Sequence, residues 1–168
     1  MNRQYEAIEL ALRTRMIDAN PGIEPDLSSA MLDRAALSGA NLRRANLEEA
    51  HMVHADLRKA HLQEAKLLRA WLDAVDLHDA DLSGADLFGA YLSHTDLRGA
   101  GLKKASIERV KMVNTKLQRA NISGALVYGI SAWDLDTDDK TIQNDLVITP
   151  SVREGSSASF SPTGSAIV

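Results

Sequence analysis

The sequence predicts an all-β solenoid whose chain turns in steps of five residues around a narrow interior. Three observations predict this fold. From Pro25 to Gly129 the chain divides into 21 consecutive pentads, and 16 of their central positions, which start at Leu27, are Leu. Two residues before the centre, 16 of the 21 pentads have Ala. Aromatic residues make up only 4% of the 168 residues, which favours narrow, uniform layers over a thick irregular core.

A period of five fits neither regular secondary structure. On an α-helix, steps of five residues advance about 140° beyond a full turn and scatter the leucines around the cylinder. In a flat strand, an odd period sends successive leucines to opposite faces. The pattern works if each pentad is a short extended piece, with its Ala and Leu facing the same way, followed by a corner. Repeated corners then coil the chain around its own leucines.

The length of one coil follows from residues that would stack in columns. A spacing of twenty residues aligns three matched sets: β-branched residues that interrupt the Ala positions, acidic residues, and ring-bearing residues (Val75, Thr95 and Thr115; Asp56, Asp76 and Asp96; His51, Trp71 and Tyr91). A spacing of fifteen would instead follow His51 with Lys66 and Asp81. We therefore expect a four-sided solenoid of about five coils.

The repeated unit also carries a family resemblance. The stretches "ANLRR", "ANLEE", "ADLRK", "ADLSG", "ADLFG", "TDLRG" and "ANISG" resemble the motif of pentapeptide-repeat proteins, which is a small residue, Asp or Asn, Leu and two variable residues. The resemblance covers nearly two thirds of the chain. It implies a right-handed, four-sided β-helix.

The two ends are expected to block the exposed layers of this β-helix, which spans residues 25–129. Residues 1–24 are predicted to form an N-terminal capping α-helix and linker, with Asn2 as the N-cap and an apolar face of Tyr5, Ile8, Leu12 and Met16. Residues 130–150 are predicted to form a C-terminal cap that uses Trp133, Leu135 and Leu146. They are similar to the segment after the repeats in some bacterial pentapeptide-repeat proteins with a TIR-like domain. Residues 151–168 are small and polar, and we expect a disordered tail.

No residue pattern predicts catalysis, so we expect no enzyme, no cofactor and no metal. The absence of cysteine excludes disulfides, thiolate metal sites and cysteine nucleophiles. Ser93, His94 and Asp96 are close in sequence, but they are interpreted as solvated corner residues beside no pocket. A leucine-filled interior leaves no substrate cavity.

Two groups of residues resemble metal ligands but lack the geometry or residue types of a metal site. His51, His54 and His94 fall on one side of the solenoid, but His94 lies about two coils, or roughly 10 Å, from the other two, which is too far for one zinc ion. The segment from Asp134 to Asp139 begins like a calcium loop, yet it has Asp139 where a glycine is needed and Asp145 where a glutamate belongs. A solvated acidic turn is the default interpretation.

One side of the predicted exterior differs from the rest. A column of large residues replaces the usual Asp or Asn there, and two further apolar residues point outward across the preceding corner. We expect an apolar contact patch formed by His51, Leu68, Trp71, Phe88 and Tyr91. The alternative is that the stacked rings only stabilise neighbouring coils.

The predicted function is a non-enzymatic protein-interaction scaffold whose partner is another protein or a second copy of the chain. One alternative is a DNA mimic that modulates a type II topoisomerase, which the family resemblance implies. The charge argues against it, because residues 26–127 hold 14 basic and 13 acidic residues although the whole chain has a net charge of −4. Another alternative is an accessory module related to TIR-domain proteins. Nucleic-acid binding and membrane insertion are not expected, and a cytoplasmic location is predicted.

Overall fold

The computed structural model describes residues 24–146, which form a four-sided parallel β-helix. Every isolated parallel bridge from Asp26–Asn46 to Lys116–Asp136 joins a residue to the one twenty positions later. Bridges recur every five residues, so four sides complete one coil and the predicted spacing of twenty residues is confirmed. The predicted N-terminal capping helix and disordered tail lie outside the described residues. Right-handed coiling remains a prediction from the family resemblance.

Regular strands are short because each side holds only a few residues between corners. Strand β1 spans Lys111–Val113, and strand β2 spans Ser131–Trp133. The two strands pair in parallel with Lys111 opposite Ser131 and Val113 opposite Trp133. Elsewhere in residues 24–146 each side contributes single bridges, which repeat the same register coil after coil.

The interior consists of stacked columns of Leu and Ala. Leu42, Leu77 and Leu97 are fully buried, and every pentad centre from Leu27 to Val127 is at most 7% exposed. Burying one leucine side chain contributes roughly 1.5–3 kcal/mol, so the columns are the main source of stability. The shaft is filled by side chains, as the sequence predicts.

Two threonines occupy Ala positions of the interior without leaving a polar atom unpaired. Thr95 and Thr115 are both fully buried. Their Oγ1 atoms donate hydrogen bonds to the carbonyl oxygens of Leu72 and Leu92, at 2.6 and 2.7 Å. Since a buried hydroxyl without a partner is costly, these bonds explain how the shaft tolerates threonine.

Every corner depends on one residue with left-handed backbone. From Ser29 to Asp134, every fifth residue has a positive φ, between 50° and 70°. A hydrogen bond between residues three positions apart closes the corner. For example, the N–H of Ala30 donates to the carbonyl oxygen of Leu27 at 3.1 Å. Positive φ falls at the third residue of this turn, where a type II turn requires it.

The Asp or Asn of the repeat stabilises these corners. Its side-chain oxygen accepts a hydrogen bond from the backbone N–H two residues later, as in Asp81 to Ser83 at 3.0 Å and Asn121 to Ser123 at 3.1 Å. Short polar side chains are suited to this local bond, which mimics a backbone turn. This hydrogen bond at the corner therefore explains the Asp or Asn of the repeat motif.

The parallel register continues past Gly129. After β2, Asp136 pairs with Lys116, and Ile142 pairs with Asn121 one residue later than the regular spacing. Leu135 and Leu146 pack against the core, but Trp133 is 70% exposed and does not cover it. Within residues 24–146, no helix is long and apolar enough to cross a membrane.

Replacing a shaft leucine should destabilise the fold far more than replacing an exterior one. We expect Leu82→Ala to lower the free energy of unfolding by about 2–5 kcal/mol, because Leu82 is fully buried. Leu68→Ala is the matched control, since Leu68 is only partly buried. Urea unfolding followed by circular dichroism measures both, and equal losses would contradict the assignment of the interior.

Candidate protein-interaction surface

A ladder of parallel rings runs along one side of the rod. His51, Trp71 and Tyr91 occupy consecutive coils and are joined by parallel bridges. The ring centroids of His51 and Trp71 lie 5.4 Å apart with an interplanar angle of 9°, and those of Trp71 and Tyr91 lie 4.5 Å apart with an angle of 12°. We call these three residues the ring ladder. Their faces cover one another, so the ring edges face solvent.

A cation lies against the C-terminal end of the ring ladder. The Nζ atom of Lys111, in the next coil, lies 4.8 Å from the centroid of the Tyr91 ring. Such a contact contributes about 0.5–1 kcal/mol at an exposed site. At the N-terminal end of the same column, Met31 is joined to His51 by a parallel bridge. The Met31 residue is 48% exposed.

Two further apolar side chains lie across the preceding corner. Leu68 is partly buried, and Phe88, one coil above it, is 37% exposed. The guanidinium carbon of Arg109 lies 5.6 Å from the centroid of the Phe88 ring. We call Leu68, Phe88 and the ring ladder the contact patch. These are the five residues that the sequence analysis names as interaction candidates, and their role in binding stays a prediction.

The ring ladder borders a shallow groove of about 330 Å³. One wall is formed by the ring edges and the other by corner residues, Ser29, Glu49 and Arg69. Arg69 donates to Glu48 at 3.1 Å and lies 3.2 Å from Glu49. The groove therefore combines an apolar wall with a charged one.

Asp33 and Asp73 support the corner beside the ring ladder, and sequence reasoning did not single them out. The ring residues cannot accept the corner N–H that Asp or Asn accepts elsewhere. Instead, the carboxylate of Asp33 accepts from the N–H of Val53 at 2.9 Å, and that of Asp73 accepts from the N–H of Ser93 at 3.1 Å. The signal in the sequence was an acidic residue twenty positions before each of these corners.

Another side carries the aligned acids, and arginines pair with two of them. Arg58 binds the carboxylate of Asp56 through Nε and Nη2, at 2.8 and 2.7 Å, and Arg98 binds Asp96 in the same way at 2.9 and 2.6 Å. Arg58 also lies 3.7 Å from Asp76. The strip is therefore a series of ion pairs and does not form a continuous negative surface.

These ion pairs shift the pKa values of the carboxyl groups. Hydrogen bonds from the Arg58 side chain lower the pKa of Asp56, although partial burial opposes this shift. For Asp96, partial burial acts to raise the pKa, but hydrogen bonds from Arg98 outweigh it and the pKa is lowered. Both groups stay ionised well below neutral pH.

Polar residues near His94 are held by other residues. The carboxylate of Asp96 is bound by Arg98, and the backbone N–H of Ser93 donates to Asp73. The carboxylate of Asp138 accepts from backbone N–H groups of Arg119 and Lys140. Within residues 24–146, no group of three or more His, Asp or Glu side chains could hold a metal ion.

The stacked pentads and their Leu and Ala interior define this protein as a repeat β-helix. Comparison of the sequence with known protein families identifies the type of repeat. Residues 40–79 and residues 80–119 each match the family model for pentapeptide repeats (eight copies). The chain belongs to the pentapeptide-repeat family. No curated protein matches it.

Solved structures of the same family are similar to this chain. A pentapeptide repeat protein from the thylakoid lumen of Arabidopsis thaliana is 37% identical over 54% of this chain and 63% of its own, with a TM-score of 0.53. Rfr23 from the cyanobacterium Cyanothece 51142 is 29% identical over 64% of this chain and 66% of its own, with a TM-score of 0.31. The chain thus spans just under two thirds of the length of each.

A third similar structure is QnrB1, a plasmid-mediated fluoroquinolone resistance protein. It is 20% identical over 73% of this chain and 76% of its own, with a TM-score of 0.34. At this TM-score and identity, the likeness carries no conclusion about this chain. The resemblance of residues 130–150 to the segment before TIR-like domains remains a prediction.

The ion pairs predict how stability depends on pH. A carboxyl group whose pKa is lowered by folding contributes stability above its unfolded pKa of about 3.9, and this contribution is lost as the pH falls through the lower folded value. We expect the Asp56→Asn, Asp96→Asn variant to have a lower melting temperature than the wild type at pH 7. The difference between the two melting temperatures should disappear at about pH 2.

Asp86→Asn is the matched control for this titration. Asp86 accepts the corner N–H of Phe88 at 3.1 Å, as an asparagine can, and forms no ion pair among residues 24–146. Melting curves by circular dichroism from pH 2 to pH 7 compare the three proteins. A constant difference between the double variant and the wild type across this range would contradict the pKa assignment.

Proposed function

We propose that this protein is a non-enzymatic protein-interaction module that presents the contact patch on a rigid β-helix. The observation that carries the proposal is the exposure of large apolar side chains in the middle of the rod. Trp71 is 40% exposed and Phe88 is 37% exposed, although the interior is already filled by leucines. Exposed aromatic residues flanked by arginine are typical of the residues that dominate binding energy at protein interfaces.

The build of the rod supports a binding role over a catalytic one. The described interior is filled by Leu and Ala from Leu27 to Val127, so it offers no enclosed substrate site. The groove beside the ring ladder is open and shallow. Its charged wall is an Arg69–glutamate cluster in which each carboxylate has a cationic partner. Paired charges of this kind are typical of the polar rim of a protein interface.

The contact patch has two parts that differ in their effect on stability. The ring ladder stabilises the stack of coils, since each stacked pair contributes about 0.5–1.5 kcal/mol. Leu68 and Phe88 lie outside the ladder, and the ring of Phe88 contacts Arg109 instead. Substitutions at these two positions can therefore test binding with little loss of stability.

We expect Leu68→Asn, Phe88→Asn to abolish partner binding while the melting temperature stays within a few degrees of the wild type. Trp71→Asn, Tyr91→Asn should abolish binding and also lower the melting temperature, because it breaks the ring ladder. Pull-down from cell extract and sedimentation velocity measure association, and circular dichroism measures melting.

Trp71→Phe is the conservative control, because phenylalanine keeps a ring in the ladder. Association that survives both double substitutions would reject the contact patch as the interface. The ladder would then serve the stability of the rod alone.

A DNA-mimic role at a type II topoisomerase is the second candidate. The aligned acids Asp56, Asp76 and Asp96 favour it, because a mimic must present negative charge along its length. The pairing of Asp56 and Asp96 with arginine weakens that negative field. A role as an accessory module of TIR-domain proteins depends only on the resemblance of residues 130–150.

A gyrase supercoiling assay separates the second candidate from the first. We expect no change in supercoiling and no protection from a quinolone when this protein is added in molar excess over gyrase. The Arg58→Gln, Arg98→Gln variant is a useful comparison, because it removes the paired cations. Clear protection by the wild type would establish the topoisomerase role.

A further inference from the structure

One column of corner residues carries an ion pair at the N-terminal end of the contact patch and none at the C-terminal end. The column contains Ser29, Glu49, Arg69, Gly89 and Arg109 in consecutive coils. Arg69 lies 3.2 Å from the carboxylate of Glu49, which is one coil before it. Arg109 has Gly89 at the equivalent position, so the column supplies it with no carboxylate.

Two cations at this C-terminal end lie against rings and not against acids. Elsewhere on the rod, arginines such as Arg58 bind a carboxylate directly. Arg109 and Lys111 have no carboxylate oxygen within 4.0 Å among residues 24–146. They lie 5.6 and 4.8 Å from the ring centroids of Phe88 and Tyr91. A ring attracts a cation without neutralising its charge, so both cations can still bind an anion.

The corner at Gly89 leaves room for a group from outside the chain. Apart from its chain neighbours, a Cβ atom at Gly89 would have one described heavy atom within 4 Å, which is Cγ of Arg69 at 3.4 Å. We call the space at this corner the Gly89 notch. It is bounded by Phe88, Gly89, Tyr91, Arg109 and Lys111.

The acidic residues near the contact patch do not occupy the notch. Glu48 and Glu49 bind Arg69 at 3.1 and 3.2 Å. They lie about three coils, or roughly 14 Å, before the two cations of the notch. Glu108 lies on the side of the rod before this corner, whereas Lys111 lies on the side after it. A cationic partner would meet the positive charges of the notch, so these observations favour an anionic one.

We propose that the Gly89 notch binds a carboxylate side chain of a partner protein, and that apolar residues flank this side chain in the partner. The inference rests on the proposed function, since it names the chemistry that the partner presents to the contact patch. The carboxylate takes the place beside Arg109 that Glu49 takes beside Arg69. The flanking apolar residues pack on the exposed ring edges, as aromatic anchors of an interface require.

The corner at Gly84 is a matched comparison within the same molecule. Gly84 lies one coil before Lys104, as Gly89 lies one coil before Arg109. The exposed residues that flank Gly84 are polar, so this corner offers a cation without a ring beside it. A partner that needs both a cation and an apolar wall should bind only at Gly89.

Selection from a library of random peptides displayed on phage, with the immobilised full-length protein as the target, tests the proposal. We expect the selected peptides to carry Asp or Glu next to leucine, isoleucine or phenylalanine. Synthetic copies should bind at least about tenfold more tightly than the same peptides with the acid replaced by its amide. A selection that yields no peptide, or peptides without acidic residues, would overturn the proposal.

A carboxylate placed inside the notch should block these peptides. We expect Gly89→Glu to weaken their binding at least about tenfold, whereas Gly84→Glu should change it by no more than about twofold. Glutamate is compatible with these corners, because Glu49 and Glu64 adopt φ values of 56° and 58° at theirs. Melting curves by circular dichroism check that both variants fold, and equal losses of binding in the two would reject the notch.

Removal of the cations tests the charge requirement. Arg109→Gln, Lys111→Gln should abolish the preference for acidic peptides over their amide versions. Lys103→Gln, Lys104→Gln makes the same change of charge on another side of the same coil and should retain the preference. Isothermal titration calorimetry measures both, and the preference should shrink as salt is raised. An unchanged preference in the first variant would contradict the proposed role of these cations.

The two proposals fail in different ways. If peptide binding is lost in Leu68→Asn, Phe88→Asn but kept in Gly89→Glu, the contact patch is an interface and the notch is rejected. If binding responds to neither variant, both proposals are rejected. Self-association of the wild type that is lost in Gly89→Glu would support the notch and identify a second copy of the chain as the source of the carboxylate.

Discussion

The stacking of each residue on the one twenty positions later is the constraint on which the rest of the structure depends. It places leucine on leucine in the interior, carboxylate near carboxylate on one side, and ring on ring on another. A change in coil length would misalign every column at once. Because each coil contacts only its neighbours, the rod keeps this register through nearest-neighbour contacts that repeat along its length.

The corners make this register possible, and they carry a local conformational cost. Positive φ is unfavourable for residues with a Cβ atom, yet residues such as Arg44, Lys59 and His94 adopt it at their corners. Hydrogen bonds within the turn and between coils offset the strain, and the Asp or Asn of the repeat adds one more. At the corners after His51 and Tyr91, Asp33 and Asp73 supply this bond from the preceding coil. The aromatic side therefore keeps its corners without the usual motif.

The contact patch combines rings that stack across coils with side chains that are exposed to solvent. Stacked rings hold neighbouring coils in register, and their edges face solvent. Cations lie over the rings of Phe88 and Tyr91, and Arg69 pairs with Glu48 and Glu49 at the other end of the patch.

The sequence by itself determined the period of five, the buried Leu and Ala columns and the coil of twenty residues, because these follow from a strict local pattern of apolar and polar positions. Only the tertiary structure decided that His51, Trp71 and Tyr91 stack face to face, that Arg58 and Arg98 pair with neighbouring acids, and that Asp33 and Asp73 reach the coil above. It also showed that Trp133 is exposed at the end of the rod. These features depend on side-chain rotamers and on neighbours twenty residues away, which no local pattern specifies. The interior is set by burial, which a pattern records, whereas the exterior is set by which side chains meet across coils.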